Sequence, residues 1–133
     1  MILRFVTLAR VRIFTAAIAI LAYTGEATAQ VKTNAELYAG VTNVREFELR
    51  FIEIAVDALD AIDALPIDKD ELSIEFRECI ADRTIENYSP ELVAAIEQFV
   101  KTKTDEDWDR YYEIADRERM PATKRQAIIS GCK

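Results

Sequence analysis

Histidine is absent from all 133 residues of the chain, and this absence excludes a wide range of chemistry. Without histidine there is no Ser-His-Asp or Cys-His nucleophile system, no His-ligated zinc or haem site, and no side chain that ordinarily titrates near neutrality. Glycine and proline are scarce, with three of each, which disfavours a loop-rich or β-rich architecture. The remaining composition, half apolar and 31% charged, is typical of a small globular domain.

The first 29 residues have the three-part layout of a secretory signal peptide. Three arginines precede an apolar stretch over residues 13–23, and a short polar segment ends in small-x-small at residues 27–29. This ending predicts cleavage before Gln30 and a mature helical domain over residues 30–133. Because the apolar run of about 11 residues is shorter than the roughly 20 of a membrane-spanning helix, we expect a periplasmic or secreted protein, with no membrane association after processing.

The mature chain is acidic. Residues 30–133 contain 14 Lys and Arg against 23 Asp and Glu, which gives a net charge near −9. An excess of carboxylates repels phosphate backbones and anionic lipids, so nucleic acid and membrane surfaces are poor candidate partners. We therefore expect the partner to be a basic exported protein.

Cys79 and Cys132 are the only cysteines of the chain, and both lie in the mature part. An exported chain enters an oxidising compartment in which two thiols tend to pair, so we predict a disulfide between them. The bridge would close a loop of about 54 residues, and the chain-entropy argument gives it roughly 4 kcal/mol. We interpret the bridge as structural, because the absence of a C-x-x-C motif argues against a redox role.

The segment after Gln30 has apolar residues at helical spacing. Steps of three and four residues predict one long central helix over residues 34–65, ended by Pro66. Three aspartates repeat every three residues near its end, and we interpret them as its solvated edge. Asp68 and Glu71 then form a capping-box pattern that predicts the start of a second helix.

Three further helix starts are marked by capping residues. Ser89 followed by Pro90 predicts a third helix, Thr104 a fourth, and Pro121 a short last one. No strand-like alternation and no internal repeat is visible in the sequence. The sequence therefore predicts an all-α fold, a small single-domain bundle of four to five helices with one disulfide.

Candidate metal and catalytic sites are weak. Asp105, Asp107 and Asp109 have the spacing of the first three ligands of a calcium loop, but Arg110 stands where that loop needs glycine. Acidic residues in the first turn of a helix are stabilised by the helix dipole without any ion. No pair of acids is marked as a catalytic pair in a cleft. We therefore predict no metal, no cofactor and no enzymatic activity.

The segment from residue 107 to residue 112 is the richest for partner recognition, because Trp, Tyr and Arg dominate interface hot spots. The alternative is that the tryptophan and one tyrosine fill the core of a small bundle. The predicted contact set is Asp107, Trp108, Asp109, Arg110, Tyr111 and Tyr112.

These features together predict an acidic, exported protein that acts by protein binding. An immunity protein or inhibitor against a secreted cell-wall or nucleic-acid hydrolase fits best, because enzymes that bind polyanions tend to be basic. One alternative is a small acid-stress or folding chaperone of the periplasm, whose carboxylates are neutralised at low pH. A hydrolase that uses carboxylates alone is the remaining alternative.

Overall fold

The computed structural model describes residues 32–133, whose regular secondary structure is helical. Within this part of the chain there is no β-strand, which confirms the all-α prediction. The predicted signal peptide and its cleavage site lie outside the described residues. The six helices are α1 (Asn34–Leu37), α2 (Val44–Ala61), α3 (Ile74–Ile85), α4 (Pro90–Thr102), α5 (Asp105–Arg117) and α6 (Ala122–Gly131), with a 3₁₀ turn at Lys69–Glu71.

The prediction of one continuous helix over residues 34–65 is wrong, because the chain turns at Gly40. This glycine has φ 81°, a left-handed conformation that suits a residue without Cβ. Asn43 then accepts a hydrogen bond from the backbone N–H of Glu46 at 2.8 Å and begins α2. The apolar spacing continues across the turn because Tyr38 and Val41 are both buried in the core.

The loop after α2 also differs from the sequence prediction. Asp63 has φ 54° and follows the end of α2, several residues before Pro66. The carboxylate of Asp68 accepts a hydrogen bond from the backbone N–H of Asp70, so it caps the 3₁₀ turn rather than a helix. Ser73 provides the cap of α3, accepting from the backbone N–H of Phe76. The helix starts predicted at Ser89, Thr104 and Pro121 are confirmed.

The domain has a main core and an outer layer. In the described part of the chain, the main cluster of buried residues comes from α2, α4, α5 and the turn after α1. Helix α3 packs on α2 through the fully buried Ala81, and α6 packs mainly on α3 without burying any of its own residues. The cluster consists of Tyr38, Val41, Phe47, Leu92, Ala95, Ile96, Phe99, Val100, Tyr111 and Ile114.

The predicted disulfide is confirmed. The Sγ atoms of Cys79 and Cys132 lie 2.10 Å apart, and the bridge joins the middle of α3 to the residue that follows α6. The outer helix pair is therefore linked covalently, whereas the main core is held by apolar packing.

Candidate functional site

The aromatic residues of the predicted contact set face the core of the bundle. Tyr111 is buried, and Trp108 and Tyr112 are half-buried. The centroid of the Trp108 indole lies 5.2 Å from the ring of Phe99 and 5.2 Å from that of Tyr111. It also lies 5.5 Å from the ring of Tyr38. The indole thus completes an aromatic cluster inside the domain.

The polar residues of the same set lie at or near the surface. The half-buried Asp107 accepts hydrogen bonds from the hydroxyl of Thr102 and, at 3.5 Å, from the side-chain amide of Gln98. The hydrogen bond from Thr102 is the main reason that the pKa of Asp107 lies below its ordinary value. Asp109 and Arg110 are exposed. The segment therefore offers solvent an acid and a cation rather than an aromatic anchor.

Negative charge is concentrated in one part of the domain. Residues 53–86 contain eleven acidic and three basic side chains, whereas residues 30–52 contain three of each and residues 87–133 contain nine and eight. The acidic stretch comprises the C-terminal half of α2, the loop that follows it, and α3. Nearly the whole negative excess of residues 30–133 is therefore carried by these neighbouring elements.

The most acidic surface is the region of residues 57–75, which we call the acidic end. It contains seven acidic side chains and one basic one, and all eight residues are exposed. The basic one is Lys69, whose Nζ lies 3.2 Å from Oδ2 of Asp60 and 3.8 Å from Oδ1 of Asp57. This pairing folds the loop back against α2. The seven acids are Asp57, Asp60, Asp63, Asp68, Asp70, Glu71 and Glu75.

Two isoleucines are exposed at the acidic end. Ile62 is 41% and Ile74 is 71% exposed, and within residues 32–133 no other large apolar side chain is as open to solvent. They lie at the end of α2 and at the first position of α3. An apolar centre with a charged rim is the usual anatomy of a protein interface.

The contact set predicted from the sequence lies on α5, and the acidic end was not part of that prediction. It interpreted Asp57, Asp60 and Asp63 as a solvated edge, and their exposure agrees with that interpretation. The available signal was the uneven charge between segments, together with the two isoleucines that flank the loop. Their exposure depends on where α2 ends and α3 begins, which the apolar spacing did not give.

A carboxyl group is buried among the tyrosines of the core. Glu48 is 4% exposed, and its Oε2 accepts a hydrogen bond from the hydroxyl of Tyr88 at 2.5 Å. Burial raises the pKa of Glu48 to about 7, and the hydrogen bond from Tyr88 opposes this shift. Burial, reinforced by the nearby Glu48, also raises the pKa of Tyr38, Tyr88 and Tyr111.

A raised carboxyl pKa is a property that catalytic acids share. The surroundings of Glu48 differ from those of a catalytic acid, because its side chain lies in the core. Two shallow grooves flank the start of α2, and both are lined by Asn43, Val44 and Glu97, without Glu48. We therefore assign Glu48 to the structure and stability of the domain.

Residues 32–133 contain neither a cluster of metal-ligating side chains nor a helix that could cross a membrane. No group of three or more Cys, Asp or Glu residues there is arranged to hold a metal ion. None of the helices in this range combines the length and the apolar character needed to cross a membrane. No protein-family model, no curated protein and no solved structure matches the chain.

Proposed function

We propose that the mature domain is an exported acidic protein that acts by binding a basic partner protein. The observation that carries the proposal is the acidic end, where seven exposed acids and the exposed Ile62 and Ile74 lie within residues 57–75. Concentrated negative charge speeds the encounter with a cationic partner. The two isoleucines supply the apolar area that a surface of charges alone lacks, because exposed ion pairs contribute little affinity.

The partner class follows from the charge. Enzymes that cleave nucleic acid or anionic cell-wall polymers bind polyanions and present basic clefts to them. A surface of carboxylates around an apolar centre competes for such a cleft by charge complementarity. The proposal is therefore an inhibitor or immunity protein against a secreted hydrolase, with no catalytic step of its own.

Charge reversal at the acidic end tests this proposal. We expect Asp70→Lys with Glu75→Lys to slow association with the partner about ten-fold or more at low salt, because the change removes the steering charge. The matched control is Asp109→Lys with Glu113→Lys, which changes the net charge equally at exposed positions of α5. The partner is captured from the exported fraction with the immobilised domain, identified by mass spectrometry, and measured by surface plasmon resonance.

The two double variants separate the acidic end from the contact set on α5. A larger loss for the acidic-end variant supports the proposed surface. Equal losses for both variants would mean that net charge, not this surface, governs association. A larger loss for the α5 variant would return the contact to residues 107–112, and an acidic captured partner would contradict the proposal.

A second prediction concerns the apolar anchor. Because Ile74 is 71% exposed, Ile74→Ala should change the free energy of unfolding by less than about 0.5 kcal/mol. The same substitution should weaken partner binding about ten-fold, mainly through faster dissociation. Chemical denaturation and binding kinetics on one preparation measure both effects. Unchanged dissociation would remove Ile74 from the interface.

A further inference from the structure

We propose that α6 is a latch on the acidic helix α3, closed by the Cys79–Cys132 disulfide and released when a dithiol reduces that bridge. Release would change the charge that α3 presents to a partner, and this consequence rests on the proposed function. The opening of the latch itself depends only on the contacts of α6.

Helix α6 is weakly held apart from the disulfide. It has ten residues, Ala122–Gly131, and none of them is buried. Pro121 precedes it without a side-chain capping hydrogen bond. Isolated helices shorter than about 12 residues are marginal in water, so α6 depends on contacts with the rest of the domain. Those contacts are mainly with α3.

The rest of the domain does not depend on α6. In the described part of the chain, the main buried cluster draws no residue from α3 or α6. Helix α3 has its own attachment to α2, since Ala81 is fully buried and Arg45 Nε lies 2.8 Å from Oδ1 of Asp82. The guanidinium of Arg45 also reaches Glu78 at 3.5 Å. We therefore expect α3 to remain in place when α6 leaves.

The disulfide is placed to act as the clamp. Cys79 lies in α3 and Cys132 directly follows α6, so the bridge connects the latch to the surface beneath it. Both cysteines are half-buried rather than enclosed in the main core. Beside the bridge, Gly131 lies against the guanidinium of Arg83. Without the bridge, only the shallow packing of α6 opposes its release.

The opening reaction is an ordinary thiol–disulfide exchange. One thiolate of the dithiol attacks a cysteine sulfur and forms a mixed disulfide, which displaces the other cysteine as a thiolate. The second thiol of the reductant then attacks the mixed disulfide and releases the first cysteine. The two protein sulfurs gain two electrons and two protons, and the dithiol becomes a disulfide.

The charges of α6 and α3 explain how the latch would affect the binding of a cationic partner. Helix α6 carries Lys124 and Arg125 and no acidic residue, and Lys133 follows it. Helix α3 carries three acidic and two basic residues, a net charge of −1. Because α6 carries two cations, a closed latch leaves this helix pair without a negative excess. Opening moves these cations away and leaves α3 free to meet a cationic partner.

Hydrogen exchange measured by mass spectrometry tests the latch. With dithiothreitol, amides of residues 122–131 should exchange at least about 100-fold faster than in the oxidised domain, because α6 is no longer docked. Amides in α4 and α5 should keep their protection. The Cys132→Ser variant should reproduce this pattern without reductant, which controls for other effects of the reagent.

Two results would overturn the latch. One is unchanged protection of α6 in both the reduced domain and the variant. The other is a simultaneous loss of protection in α4, α5 and α6, which would mean that the bridge holds the whole fold. Loss confined to α6 supports the inference.

The regulatory consequence is tested with decalysine as a cationic probe. At low salt the reduced domain should bind it about three-fold more tightly than the oxidised one. Equal affinities would remove the regulation of the surface by α6. Failure of the oxidised domain to capture any basic exported protein would count against the proposed function, whereas the exchange result judges the latch independently.

Discussion

Replacement of Trp108 by alanine is expected to lower the free energy of unfolding by about 3 kcal/mol. The indole packs against the rings of Phe99 and Tyr111, with centroids 5.2 Å away in each case, and against Tyr38 at 5.5 Å. Its removal would leave a cavity at the edge of the main core. Because Trp108 is half-buried rather than enclosed, we expect the lower end of the range for such truncations.

Urea denaturation followed by circular dichroism measures this effect. Asp109→Ala and Arg110→Ala are matched controls on the same helix, and their exposed side chains should contribute less than about 0.5 kcal/mol each. The comparison also decides between the two interpretations of the segment. A loss under about 1 kcal/mol, combined with weaker partner binding, would make Trp108 an interface residue after all.

The sequence correctly predicts the helix starts at Ser89 and Thr104, whereas the capping pattern at Asp68 marks only a 3₁₀ turn. Ser89 and Thr104 each accept a hydrogen bond from the backbone of the first turn, so these starts follow from local chemistry alone. The disulfide could also be predicted, because two cysteines in a chain with the pattern of a secretory signal leave a single pairing. These features depend on few residues or on elimination, not on tertiary packing.

The break at Gly40 could not be predicted from apolar spacing. Tyr38 and Val41 are buried on the same side as Phe47, so their pattern continues through a turn that is not helical. The period reports which side chains meet the core, whereas the backbone conformation between them is decided by Gly40 and by the cap at Asn43. A glycine six residues into a predicted helix was the signal for this break.

The acidic end depends on similar tertiary details. Its aspartates were visible in the sequence, but the exposure of Ile62 requires α2 to end at Ala61. That end is fixed by the left-handed Asp63 and by the hydrogen bond from the N–H of Ala64 to the carbonyl of Leu59 at 2.8 Å. From helical spacing alone, an isoleucine at this position is predicted to lie in the core.

The buried Glu48 is expected to make the domain less stable by about 3 kcal/mol at pH values above 7 than in mild acid. Its pKa is raised from an ordinary value of 4.5 to about 7, chiefly by burial. Between these two values the folded domain keeps the proton that the unfolded chain has lost. Stability from this group is therefore fully present below pH 4.5 and is lost as the pH rises through 7.

The neighbours of Glu48 do not reverse this dependence. The three tyrosines around it have raised pKa values and remain neutral over this range. The exposed Glu46 and Asp82 and the half-buried Asp107 have lowered pKa values, so their contributions are lost only as the pH falls below the ordinary range of carboxylic acids. Their effect lies at lower pH than that of Glu48 and has the opposite sign.

The pH dependence of stability expected from Glu48 bears on the choice between a partner-binding protein and an acid-activated chaperone. A chaperone of that kind loosens when its carboxylates are neutralised, so that apolar surface is released. Protonation of Glu48 removes a buried charge and tightens the core instead. Glu48, whose pKa is raised by burial, therefore argues against activation of the domain by acid between pH 7 and pH 4.5.

The Glu48→Gln variant isolates the effect, because the amide oxygen still accepts the hydroxyl of Tyr88 while the side chain no longer titrates. We expect the variant to be more stable than the wild type by about 3 kcal/mol at pH 8 and nearly equal to it at pH 4.5. Urea denaturation across this range gives the difference, and Glu53→Gln, at an exposed position on the same helix, is the matched control. A difference between wild type and Glu48→Gln that does not change with pH would show that the carboxyl keeps its ordinary pKa in the fold. The argument from burial would then fail, and acid activation would again be open to test.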